Sequence, residues 1–97
     1  MKLTALNAEF VVRSMGDAAK IGLILNCPCG CIHRLYVPFA NPIGGGPTDD
    51  TKPLWQRTGE TIETLTLSPS VYRSPAKGTP CPKAWHGYIR AGEAVPA

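Results

Sequence analysis

The sequence predicts a small all-β domain, an antiparallel β-sheet in which a zinc-binding turn joins two strands. Three observations favour this class. The chain has 97 residues, enough for one domain spanning 1–97. Ten glycines and ten prolines indicate a loop-rich chain with little helix, and all four cysteines fall in two short clusters. Because so small a core gives modest stability, we expect one structural Zn²⁺ to contribute to folding.

The strands are predicted by runs of β-branched and aromatic residues with partial alternation of apolar and polar side chains. These runs cover residues 9–13, 20–26, 32–39, 54–57, 61–67, 71–73 and 84–90. Glycine- and proline-rich segments predict loops over 41–53 and 74–80 and turns near 15–18, 68–70 and 91–93. The first cysteine cluster therefore lies in the turn between the second and third strands.

That first cluster, Cys27-Pro28-Cys29-Gly30-Cys31, has the composition of a metal-binding knuckle. In a straight strand, residues two apart stand about 7 Å from each other, whereas thiolates on one tetrahedral zinc lie about 3.7 Å apart. Pro28 and Gly30 allow the tight turn that brings thiolates together. Cys27 and Cys31 have the Cys-x3-Cys spacing usual for a zinc chelate.

The second cluster supplies two further candidate ligands, Cys81 and His86. With Cys27 and Cys31 they complete a closed tetrahedral site that joins two distant parts of the chain. Two alternates stay open, namely Cys29, if the knuckle is unusually sharp, and His33 on the following strand.

Disulfide bonds or unligated thiols are the alternatives to zinc. Disulfides persist in oxidising compartments, and residues 1–9 lack the basic and apolar pattern of an export signal. No apolar run approaches the eighteen or so residues of a membrane span. We therefore favour zinc and a soluble protein.

Several motifs together resemble a family of small proteins of unknown function found in phages, prophages and bacteria. The resemblance implies zinc ligands at Cys27, Cys31, Cys81 and His86, and a location in the host cytoplasm or the virion. The chain departs from the family pattern at Gly44–Gly46 and at the glycine that follows His86. The motifs that carry the resemblance are CPCGC at 27–31, Trp55, TLSPSV at 66–71, Cys81 and HGYIRAG at 86–92.

The same observations predict a binding or structural module and not an enzyme. Four ligands would close the zinc site, and the candidate bases Glu60 and Glu63 have no motif spacing. A rigid β domain with exposed strand edges is suited to docking on a larger protein by β-augmentation. We expect the partner to be a virion component, a host protein or a second copy of the chain.

Nucleic-acid binding is the alternative function. The net charge is +3, and basic residues near the C-terminus are interleaved with aromatic rings that could stack on bases. The candidate residues are Arg73, Lys77, Lys83, Trp85, Tyr88 and Arg90.

Overall fold

The structure, a computed structural model, contains eight β-strands and one short 3-10 helix in the residues that it describes. It describes residues 1–13, 16, 18–28, 30, 34–49, 53–73 and 85–97. The 3-10 helix covers Leu3–Leu6, and the strands are β1 Glu9–Val12, β2 Lys20–Asn26, β3 Arg34–Ile43, β4 Gln56–Thr58, β5 Thr66–Ser68, β6 Val71–Arg73, β7 Trp85–Arg90 and β8 Glu93–Pro96. The predicted class of a small antiparallel β fold with almost no helix is confirmed.

The strands form three antiparallel sheets, in the orders β1-β2-β3, β4-β5 and β6-β7-β8. Trp55, just before β4, joins the first two sheets through a parallel bridge to Phe39. Its N–H donates to the carbonyl of Pro38 at 2.9 Å, and its carbonyl accepts the N–H of Ala40 at 2.7 Å. Trp55 is therefore anchored to the centre of the fold by its backbone.

Several strand boundaries differ from those predicted, most of all at the end of β3 and before β5. β3 continues through Ile43, because the Asn41 side chain pairs with the backbone N–H and carbonyl of Arg57, both at 2.9 Å, and so holds this segment beside β4. The predicted strand over 61–67 is instead a turn followed by β5. The N–H of Thr64 donates to the Thr61 carbonyl, and the two hydroxyls lie 2.8 Å apart.

β8 was not predicted. It returns from β7 through a turn in which Ala91 and Gly92 both have positive φ angles, 47° and 79°. The chain start holds it in place, because the N–H of Ala94 donates to the Met1 carbonyl and the Met1 ammonium donates to the Ala94 carbonyl. A partner ninety-three residues away in sequence leaves no local signal.

A single hydrophobic core joins the three sheets. Leu23 of β2 and Phe39 of β3 are fully buried, as are Leu65 before β5 and Ile89 of β7. Phe10 packs edge-on against Phe39 with ring centroids 6.2 Å apart. In the described part of the chain, no helix has the length and apolarity that a membrane span requires.

Tyr36 forms a partly buried hydrogen bond beside this core. Its hydroxyl donates to a carboxylate oxygen of Asp49 at 2.6 Å. Its ring lies over Gly22, where an added Cβ would stand 2.5 Å from the Cε1 atom. Burial, and next the hydrogen bond to Asp49, raise the pKa of Tyr36 well above its ordinary value.

This shift predicts a loss of stability at alkaline pH that depends on Tyr36. The unfolded chain loses the Tyr36 proton near pH 10, whereas the folded protein keeps it to higher pH. The contribution of the Tyr36 hydroxyl to the free energy of unfolding is therefore complete below about pH 10 and declines above it. We expect the difference in Tm between the wild type and Tyr36→Phe to narrow from pH 8 to pH 11. A difference that stays constant over this range would contradict the assignment.

Candidate functional site

A serine and a histidine meet on the exposed face of the β6-β7-β8 sheet. The Nε2 atom of His86 and the Oγ atom of Ser70 lie 2.8 Å apart, a hydrogen bond whose donor depends on the tautomer of the ring. His86 lies on β7 and is exposed, and Ser70 directly precedes β6 and is partly exposed. The pair is therefore open to a molecule in solution.

The register of β6 against β7 brings these two residues together. Along β7 the burial alternates, so that Trp85 and Ile89 face the core while His86 faces outward. Tyr72 of β6 is the direct cross-strand partner of His86. Ser70, two residues before Tyr72, lies diagonally across from His86 on the same face, within reach of its long side chain.

Aromatic side chains position the pair from three sides. The indole Nε1–H of Trp55 donates to the Ser70 carbonyl at 3.3 Å, which ties the serine backbone to the anchored segment beside β3. The His86 ring stands between two tyrosines, with its centroid 5.7 Å from that of Tyr72 and 6.4 Å from that of Tyr88.

Gly87 supports the strand behind His86. A Cβ at this position would lie 2.4 Å from the Val95 carbonyl oxygen and 2.5 Å from the Cζ2 atom of Trp85. Only a residue without a side chain allows Trp85 and β8 to approach β7 so closely. The glycine that departs from the predicted family pattern is thus required by packing at the site.

The arrangement is one that can activate a serine as a nucleophile. A serine hydroxyl is weakly nucleophilic until a neighbouring base takes its proton, and an imidazole at hydrogen-bond distance is the usual base. Among the described residues no carboxylate hydrogen-bonds His86, so within that part of the chain the site is a Ser–His dyad with flanking tyrosine rings.

Most of the predicted zinc ligands fall outside the described residues. Cys27 is buried at the end of β2, and the N–H of Gly30 donates to its carbonyl at 3.1 Å. His86 is in the dyad. Within the described part of the chain, no group of three or more His, Cys, Asp or Glu side chains could hold a metal ion. The ligands outside the described residues are Cys29, Cys31, His33 and Cys81.

The predicted nucleic-acid-binding residues are not all on one surface. Trp85 is buried against the core, with 8% of its surface exposed, so its indole is not available to stack on a base. Arg90 and Tyr88 do share the exposed face, with the guanidinium carbon 4.1 Å from the ring centroid. Lys77, Lys83 and the side chain of Arg73 lie outside the described residues.

The sequence interpretation missed Ser70. It placed TLSPS in a motif without asking what the final serine does, and it assigned the histidine of HGYIR to zinc alone. The available signal was that each of the two motifs supplies one of the two residue types that nucleophilic catalysis needs.

The comparisons with known proteins identify one family. A family model described as "Bacterial ubiquitination-like system serine protease (BubE)" matches residues 2–97. No curated protein and no solved structure matches the chain. The match supports one part of the motif-based resemblance, namely that a bacterial family covers nearly the whole chain. It gives no support to zinc binding or to a phage origin, because its description names neither.

The family description contradicts the prediction that the chain is not an enzyme, because it names a serine protease. That prediction assumed that any chemistry would take place at the metal and would need a carboxylate base. A serine–histidine pair needs neither, which is why the assumption failed.

Proposed function

The chain belongs to the family of bacterial ubiquitination-like system serine proteases (BubE), and from this premise we propose that it cleaves peptide bonds with Ser70 as nucleophile and His86 as general base. The observation that carries the proposal is the 2.8 Å hydrogen bond between Ser70 Oγ and His86 Nε2. Both residues lie on one exposed face, where a polypeptide can reach them.

The proposed reaction follows the two-step course of serine proteases. The Ser70 oxygen attacks the carbonyl carbon of the scissile bond while His86 Nε2 takes the hydroxyl proton. His86 then gives this proton to the leaving amine as the C–N bond breaks, which leaves an acyl group on Ser70. Water, deprotonated by His86, attacks the acyl group, and the serine regains its proton when the carboxylic acid is released.

We propose that Tyr72 and Tyr88 orient the imidazole in the role that a carboxylate has in a triad. Their rings flank His86 on its own strand and on the neighbouring strand, which limits rotation of the side chain. Trp55 acts on the other partner, since its indole fixes the carbonyl of the nucleophile residue.

The substrate class that we propose is a protein of the ubiquitination-like system that the family description names. An exposed dyad on a strand face suits a polypeptide substrate better than a small molecule, which is usually bound in a deep pocket. The binding function predicted from the sequence then becomes substrate recognition. Docking on a virion component or a host protein stays a prediction.

A fluorophosphonate probe tests the nucleophile assignment directly, because it reacts covalently with activated serines. We expect the purified protein to be labelled at Ser70, as identified by peptide mass spectrometry, and labelling to be lost in His86→Ala. Labelling at another serine, or equal labelling without His86, would overturn the proposal.

Zinc binding stays a separate proposal, centred on Cys27 with Cys31 and Cys81. His86 cannot use its Nε2 atom both to bind a metal and to take the proton of Ser70. We propose that the cysteine thiolates hold the metal without His86, and we expect metal analysis to find equal zinc in the wild type and His86→Ala, and zinc lost in Cys81→Ser. Loss of zinc in His86→Ala would assign the imidazole to the metal, and metal-free wild type would exclude the zinc site.

A further inference from the structure

In the described part of the chain, the outer edge of β6 is unpaired at Tyr72, two residues from the proposed nucleophile. Resting on the proposed function, we infer that the substrate binds as an extended polypeptide segment that adds a strand to this edge and pairs with the backbone of Tyr72. The substrate class is thus an unstructured tail or linker of a protein, recognised by its main chain.

The direction of the Tyr72 backbone groups follows from the β7-β8 ladder. Pro96, which has no N–H, is the partner of Gly87, and the N–H of Ala97 donates to the His86 carbonyl at 2.9 Å. In an antiparallel sheet, a central strand bonds one neighbouring strand through every second residue and the other neighbouring strand through the residues between. The backbone of His86 therefore faces β8, and that of Gly87 faces β6.

The same alternation then applies to β6. Val71, the partner of Gly87, directs its N–H and carbonyl toward β7. Tyr72, the next residue, directs both groups to the opposite side. Ser70, two residues before Tyr72, is expected to direct its carbonyl to the same outer side. The indole of Trp55 donates to this carbonyl on the side away from β7. β6 is the terminal strand of its sheet, and no described residue pairs with the outward groups of Tyr72.

The position of this edge suits a substrate of the dyad. Tyr72 lies two residues from Ser70, about 7 Å along a strand. A chain bonded to the N–H and carbonyl of Tyr72 would continue toward Ser70, where the Trp55 indole already bonds the outward carbonyl. The substrate would leave the edge there and cross the exposed face that carries the Ser70 hydroxyl. The Tyr72 side chain is 59% exposed, so a substrate side chain can pack on its ring.

These contacts favour an unstructured segment over a folded one. In a folded domain most backbone N–H and carbonyl groups are already paired, and native edge strands are usually protected against further pairing. An extended segment has both groups free, and edge addition is a common way to bind it. The main-chain groups of the edge recognise the extended conformation of the substrate. Any preference for the substrate's sequence would come from side chains near the edge.

Tyr72→Pro tests the edge from the side of the enzyme. Proline removes the N–H that faces outward and leaves the bonds from Val71 to β7, and it is tolerated on an edge strand at such a position. Tyr72→Ala is the matched control, since it also lacks the ring but keeps the N–H. Because both variants lack the ring that flanks His86, we expect them to hydrolyse p-nitrophenyl acetate at one and the same rate, below that of the wild type. We expect Tyr72→Pro to cleave a peptide about three- to tenfold more slowly than Tyr72→Ala.

The peptide for this test comes from a randomised decapeptide library, with cleavage sites read by mass spectrometry. The best-cleaved sequence is then resynthesised with one N-methyl amide at each position in turn. We expect N-methylation to lower kcat/KM at alternate positions, because in a bound strand every second amide faces the protein.

Four outcomes decide the inference. A slower Tyr72→Pro with a period of two in the N-methyl series supports it. Equal peptide cleavage by Tyr72→Pro and Tyr72→Ala, or N-methyl effects without alternation, overturns it. If the fluorophosphonate labels Ser70 but no library peptide is cleaved, the edge inference fails and the nucleophile assignment stands. If Ser70 is not labelled, the proposed function fails and this inference fails with it.

Discussion

Replacing Ser70 with alanine is expected to lower the rate of peptide cleavage by roughly 10³-fold or more, because no other described hydroxyl hydrogen-bonds His86 Nε2. The change removes one partly exposed oxygen, so the free energy of unfolding should stay within about 0.5 kcal/mol of the wild type. The measurements are kcat/KM on the library-derived peptide and thermal unfolding of both proteins.

Ser68→Ala is the matched control for this change. Ser68 belongs to the same motif and is exposed, but it lies on β5 and makes no described hydrogen bond to His86. We expect it to keep nearly full activity. His86→Ala should lose about as much activity as Ser70→Ala, and the double variant little more, because the two residues act as one unit. Activity retained in Ser70→Ala would contradict the dyad.

Local sequence patterns predicted two strands closely. β2 was predicted with the bounds that the structure has, and β7 to within one residue, since each combines β-branched or aromatic residues with flanking turns. β8 was missed because its stability comes from pairing with β7 and with Met1, which no short window of sequence contains.

The site depended on register, which sequence patterns do not specify. The strand prediction over 84–90 placed His86 on a strand, but its partner there depends on how β6 pairs with β7. Ser70 was assigned to a turn, and its diagonal position opposite His86 exists only once Tyr72 is paired with His86. The zinc interpretation also gave His86 a complete role, which left no reason to search for a hydroxyl partner.

Gly87→Ala is expected to give the largest loss of stability among single-atom changes near the site. Its Cβ would stand 2.4 Å from the Val95 carbonyl oxygen, a backbone atom that cannot move without shifting β8. It would also press on the indole of Trp85, a core residue. We expect a loss of about 1–3 kcal/mol, typical of overpacking. For a domain of this size each kcal/mol corresponds to a fall in Tm of about 4–8 °C.

Gly22→Ala provides the matched control for that prediction. Gly22 is also a strand glycine without a positive φ, and its Cβ would approach a neighbour at 2.5 Å. Its nearest contact, however, is the outer part of the Tyr36 ring, and the backbone oxygen that it meets, that of Val37, lies at 3.0 Å, whereas Gly87 meets a backbone oxygen at 2.4 Å. Gly22→Ala should therefore lose less stability. An equal loss at both positions would show that the backbone contact to Val95 is not the cause. Thermal unfolding and fluorophosphonate labelling of Gly87→Ala would distinguish two roles of the glycine, stabilising the fold and placing His86. If β7 is displaced, labelling of Ser70 should fall even at temperatures where the variant is still folded.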